Sequence, residues 1–124
     1  MPHIALTVWG ARISPVYESA SQIRVVSTHN DQVLWQTDMP LPSHPTSRIC
    51  VFADHGVQVL ICGAISGLQA SMVRAWDIRL IPFITGQVQE VLTAFMQGNL
   101  NGERFAMPGC FGRQRRRRRR GRNV

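Results

Sequence analysis

The run Val57-Gln-Val-Leu-Ile-Cys-Gly63, VQVLICG, decides how this chain folds. It is too short for a helix and too apolar for a strand with one wet face. Such a run reads as a strand covered on both sides, the position that parallel strands occupy when helices lie on each face of a sheet. A parallel strand needs a crossover on either side of it, and both flanks supply one. Upstream, residues 45–55 (PTSRICVFADH) open on a proline suited to a first helical turn, space Ile49, Phe52 and Ala53 helically, and stop at Gly56. Downstream, Ser66 and Gln69 form a capping-box pattern ahead of residues 68–76 (LQASMVRAW), where Leu68, Met72, Ala75 and Trp76 share one face.

Working outward, residues 77–83 (DIRLIPF) read as a further short strand closed by Pro82. Thr85 is placed to cap a last helix over residues 86–97, with Val88, Val91, Leu92, Phe95 and Met96 turned inward and Gly98 as its left-handed stop. Toward the N-terminus, residues 3–9 (HIALTVW) alternate as a strand ended by Gly10, and residues 11–19 form a loop. Residues 22–28 and 33–38 are β-rich runs joined through Asn30 and Asp31, which tolerate left-handed turn conformations, so they make an antiparallel hairpin. Three prolines in residues 39–45 (MPLPSHP) predict an irregular crossover. The order is β-β-β-α-β-α-β-α: an α/β domain with a mixed five-stranded sheet and flanking helices, the ribonuclease H-like motif.

Residues 1–104 make the domain, and residues 105–124 a flexible tail with a Met-Pro-Gly-Cys motif and an arginine run. The chain has no lysine, and its formal charge is +7. Residues 1–112 hold six arginines and all seven acids, a net charge of −1, so the positive charge belongs to the tail. Arg113, Arg115, Arg116, Arg117, Arg118, Arg119, Arg120 and Arg122 repel one another, and no aliphatic side chain before Val124 can fold them by burial. The N-terminus lacks a secretory pattern and no apolar run reaches membrane-spanning length, which predicts a cytoplasmic protein without a membrane anchor. Three cysteines, with no C-x-x-C pair, exclude a disulfide framework and a zinc ribbon.

Four stretches together resemble the dinitrogenase iron-molybdenum cofactor biosynthesis family, of the NifX, NafY and NifB C-terminal domain type. They are GARISPVYESA (10–20), GVQVLICGAISG (56–67), IRLIPFITGQVQEVLTAF (78–95) and FAMPGC (105–110). The resemblance implies a non-enzymatic protein that binds, carries or inserts an iron-sulfur or iron-molybdenum cluster or its precursor, with a cluster-delivering or cluster-receiving protein as partner. The chain departs from that family at one place. Where cofactor-carrying members read S-x-H-F-G-x-A, with a histidine assigned to the metal, Val16 stands here and offers no lone pair.

From the residues themselves, Gly63, Ser66 and Gly67 form a glycine-bearing turn that leads from a buried strand into a capped helix, at the strand end where ligands of open α/β sheets collect. The loop after the first strand places Ser14, Tyr17 and Glu18 beside it as polar groups. Without a Lys-Ser/Thr ending or a G-x-G-x-x-G pattern, Gly63 and Gly67 read first as a tight turn alone. Cys50 and Cys62 read as buried small hydrophobes, Cys62 being the secondary candidate for a metal. Cys110, ahead of the arginines that favour its thiolate, is the candidate soft-metal ligand, although one cysteine cannot hold a cluster alone. Two-metal nuclease chemistry lacks a carboxylate in the first strand, and no Gly-x-Ser-x-Gly elbow marks a hydrolase. The tail is suited to an anionic cluster or an acidic protein surface. The alternative is a nucleic-acid-associated protein that binds through the tail without sequence preference, since no aromatic residue interleaves the arginines.

Overall fold

The computed structural model describes residues 3–100 and 105–107. Its strands are β1 (His3–Trp9), β2 (Arg12–Ile13), β3 (Gln22–His29), β4 (Gln32–Pro40), β5 (Val57–Ile61) and β6 (Arg79–Ile81). Its helices are α1 (Pro45–Asp54), α2 (Gly67–Arg74) and α3 (Val88–Met96). The sheet runs β4-β3-β1-β5-β6, with β2 paired to the end of β1. β1 is antiparallel to β3 and parallel to β5, and β5 is parallel to β6. VQVLICG is therefore the parallel neighbour of the central strand.

Alternation along β1 feeds two separate cores. Ile4, Leu6 and Val8 pack with Val26 and Ile61 under the α3 side chains Val88, Val91 and Leu92. Ala5 joins Ile23, Val25 and Leu60 on the other face, beneath Ile49 and Phe52 of α1 and Val73 of α2. A strand covered on both faces must be apolar at nearly every position, which is what its sequence shows. The β3–β4 turn uses Asn30 (φ 51°) and Asp31 (φ 64°), two left-handed residues in succession as a type I′ hairpin requires. Across this hairpin Arg24 grips Asp38 with two hydrogen bonds of 2.7 and 3.1 Å.

Four local expectations change. The sheet has six strands rather than five, because Gly10 (φ 62°) lets residues 12–13 fold back on β1; two residues carry no readable periodicity. β4 runs on through Met39 and Pro40, tolerated because it is an edge strand with no outer ladder to interrupt. In α2 the inward residues are Ala70 and Val73, while Leu68 and Trp76 are 76% and 60% exposed. The helix is only two turns long, so its orientation follows the sheet rather than its own apolar stripe. The N-cap of α3 is Gln87, without a side-chain bond, and the Thr85 amide donates instead to the Phe105 carbonyl at 2.8 Å.

That last bond shows where the chain goes after α3. Phe105 is buried against Gly86 and Val91, Ala106 bridges to Ile84, and the Met107 amide donates to the Phe83 carbonyl at 2.9 Å. Phe105→Ala should cost about 3–4 kcal/mol in chemical denaturation, whereas Leu68→Ala should change stability by less than about 0.5 kcal/mol.

Candidate functional site

The loop that follows β1 and its short partner β2, here the β1 loop, meets the loops after β5 and β6 at the carboxyl ends of the parallel strands. Val16 bridges to Ala64; the Tyr17 amide donates to the Ala64 carbonyl and the Ala64 amide to the Pro15 carbonyl, both at 2.8 Å. The Phe83 amide donates to the Gly63 carbonyl at 2.9 Å, and Phe83 in turn accepts from Met107. Three loops and the 105–107 segment are thus stitched side by side by main-chain hydrogen bonds.

Gly63 makes this meeting sterically feasible. A Cβ there would lie 2.5 Å from the Ser14 carbonyl oxygen and closer still to that of Pro15. Gly67, by contrast, has open space around it and an ordinary backbone conformation, so it leaves the start of α2 uncovered. Ser66 caps α2, accepting from the Gln69 amide at 3.3 Å, as the capping-box pattern predicts.

Glu18 lies across this turn. Its carboxylate accepts from the Ser66 amide at 2.9 Å, so the amide at the start of α2 already holds an anion, one supplied by the chain itself. Burial would push the Glu18 carboxyl up, but hydrogen bonds from the Ser66 amide and hydroxyl and from its own amide, together with the Arg48 charge, hold it below the usual glutamate value.

The structure brings Glu18, Gly63, Ser66 and Gly67 together. It turns Tyr17 and Ser14 away. The Tyr17 ring is buried, its hydroxyl pushed up to about 12 by desolvation despite nearby Arg48, and only its main chain faces the second loop. Ser14 is buried, and its hydroxyl makes one long bond of 3.4 Å to the Val16 carbonyl. Cys62 is fully buried; desolvation, with the Glu18 charge adding to it, pushes its thiol up to about 12. A thiol kept protonated at neutral pH is a poor metal ligand. Cys50, expected inside, is exposed on α1. Cys110 and the eight tail arginines lie outside the described residues. Among the described residues no group of three His, Cys, Asp or Glu side chains could hold a metal ion.

Two residues of this region escaped the sequence reading. Arg48 is 2% exposed and bonds to the main chain of the β1 loop; its signal was its place on the apolar face of α1, beside Ile49 and four residues before Phe52. Phe83 has φ 62°, a conformation that bulky side chains avoid, and it sits between Gly63 and Met107 in the stitched loops. No sequence signal announces it.

Residues 2–98 match the family described as dinitrogenase iron-molybdenum cofactor. The chain belongs to that family. No curated protein is significantly similar to it. Among solved structures, it is similar to the protein PH0822, with a TM-score of 0.73 and 16% identity, over 79% of this chain and 92% of that one. It is also similar to the apo form of the orange protein from Desulfovibrio gigas, with a TM-score of 0.67 and 21% identity, over 80% of this chain and 90% of the other. The protein mj0327 from Methanocaldococcus jannaschii is similar as well, with a TM-score of 0.64 and 15% identity, over 78% and 89%. At these identities the structural likenesses establish the fold. Family membership makes the chain a relative of proteins associated with the iron-molybdenum cofactor.

Two substitutions separate the roles of the glycines. Gly63→Ala should destabilise by roughly 2–3 kcal/mol, because two main-chain carbonyls must move. Gly67→Ala should leave stability within about 0.5 kcal/mol or raise it slightly. Glu18→Gln tests the carboxylate. Its folded pKa is depressed, so its contribution is complete above the ordinary carboxylate range and is lost as pH falls through the depressed value. The variant should be less stable by about 1 kcal/mol at pH 7, and the difference should vanish in acid.

Proposed function

We propose that this protein is a non-enzymatic carrier of an anionic metal cluster, an iron-sulfur or iron-molybdenum species or its precursor, held at the meeting point of the β1 and β5 loops. The observation that carries this reading is the pairing of a main-chain amide donor at the start of α2 with the lack, among the described residues, of any side-chain set for a bare metal ion. Donors of that kind suit the sulfides or oxygens of an anionic cluster, not a cation. In the unliganded protein Glu18 occupies the donor, and an incoming anion takes its place. The strand order β4-β3-β1-β5-β6, with α1 and α2 on one face and α3 on the other, supports assigning the domain to the ribonuclease H-like group.

The tail adds the rest. Met107 is tied to Phe83, and Phe83 to Gly63, so the described end of the chain reaches this edge three residues before Cys110 in sequence. This supports Cys110 as the soft ligand that Val16 does not supply, with further ligands coming from the partner or a small thiol. The tail arginines attract the cargo or an acidic surface on the protein that delivers or receives it. Val16, exposed on its loop, and Leu68, exposed in the first turn of α2, offer that protein apolar contact. No helix among the described residues is long and apolar enough to cross a membrane, and we place the protein in the cytoplasm.

Anaerobic purification of the full chain should retain iron or molybdenum, reduced several-fold by Cys110→Ser and by a chain ending at Gly112. Metal-free protein whose 260 nm absorbance exceeds that of the shortened chain, and falls on washing with salt, would establish the nucleic-acid alternative instead.

A further inference from the structure

Arg48 is an unusual buried cation. It lies on α1, it is 2% exposed, and no carboxylate faces it at hydrogen-bond distance among the described residues. Its guanidinium is spent on main-chain oxygens. Nη1 donates to the Tyr17 carbonyl, Nη2 to those of Glu18 (3.1 Å) and Ala20 (2.6 Å), and Nε to Pro42 at 2.6 Å. The Tyr17 ring covers the group, 4.8 Å from the guanidinium carbon to the ring centre. Burying a charge is costly unless it is hydrogen-bonded, and here four carbonyls of two loops bond it.

The consequence follows from peptide geometry. In a planar trans peptide the C=O and the following N–H point in opposite directions. When the Tyr17 and Glu18 carbonyls turn inward to Arg48, the amides of residues 18 and 19 are directed away from it. The Glu18 carboxylate lies on that outer side, where it accepts from the Ser66 amide at the start of α2 at 2.9 Å. One guanidinium thus divides the loop into an inner row of acceptors and an outer row of donors.

We propose that Arg48 is the positioning residue of the candidate site: by holding the Tyr17, Glu18 and Ala20 carbonyls inward it turns the loop amides toward the N-terminus of α2 and makes the loop a donor surface for an anion. This rests on the reading of that loop as the ligand loop. Lysine cannot replace arginine here, because a single ammonium cannot bond carbonyls that approach the planar fork from several sides.

The test is made on the full chain without any ligand, so a metal-free preparation leaves it standing. The probe is the proton. The Ser66 and Glu18 amide resonances are followed as pH is lowered from about 6 to 3, across the titration of the Glu18 carboxyl. The groups that face this carboxyl are Arg48 from α1 and Ser66 at the start of α2; Cys62 and Arg74 lie beyond them. In the unmodified chain both amides should move together, with a midpoint below that of an ordinary glutamate, and Glu18→Gln should abolish the movement. In Arg48→Lys the midpoint should rise toward the ordinary value and the Ser66 excursion should shrink at least two-fold. A merely structural arginine would lower the melting temperature but leave midpoint and excursion unchanged, and that result overturns the proposal. Should Arg48→Lys fail to fold, the guanidinium protons of the unmodified chain decide: slow exchange with couplings across the hydrogen bonds to Tyr17 and Ala20 sustains it, and their absence overturns it.

Discussion

The contact between Gly63 and the carbonyls of Ser14 and Pro15 is the constraint on which the site depends. β1 and β5 are parallel neighbours and β2 turns back on the end of β1, so the loops after β2 and β5 lie at the same edge, but neighbouring strands do not by themselves make neighbouring loops touch. The loops touch because position 63 carries no side chain, which allows the Ala64 amide to reach Pro15 and the Ala64 carbonyl to accept from Tyr17. From this one close approach the rest follows. Phe83 pairs with the other side of Gly63, Met107 pairs with Phe83, and the chain beyond α3 is brought to the same edge.

The charges around this junction are arranged in layers. Arg48 lies inside, bonded to four carbonyls; Glu18 lies outside it, bonded to the start of α2; Cys62 lies beneath, kept protonated by burial and by the neighbouring carboxylate. The carrier that we propose would attract its anionic cargo with the eight tail arginines and receive it on backbone donors, since the domain itself has a net charge of −1. Backbone donors do not have to be deprotonated or reoriented to bind an anion, and a loop held by a buried guanidinium loses little entropy on binding.

Much of this was legible in the chain before any coordinates. The apolar run 57–63, the Asn30-Asp31 turn, the proline at the start of α1 and the Ser66 cap are local signals, each set by dihedral preference or hydrogen bonding within a few residues, and the structure honours them. The adjacency of the Glu18 and Ser66 loops was also foreseeable, since parallel strands place successive loops at one edge. What failed to show were features with no local cause. Leu68 and Trp76 look like an inward face but point outward, because two turns of helix are oriented by the sheet beneath them. Tyr17 looks polar and accessible, yet its ring packs over Arg48. Arg48 itself reads as a surface cation that happens to fall on an apolar face.

By itself, then, the sequence determined the strands and helices other than β2, that β5 is covered on both faces, where the charge resides, and the family to which the chain belongs. Periodicity, turn chemistry and composition act over a handful of residues and leave a direct trace in the order of letters. The tertiary structure alone decided which polar groups face the junction of the loops and which are consumed inside. Tyr17 and Arg48 acquire their roles from each other across 31 positions, and Cys62 from burial and from Glu18, which is distant in the chain. Desolvation and main-chain hydrogen bonding across such separations depend on three-dimensional packing, and no pattern along the chain records them.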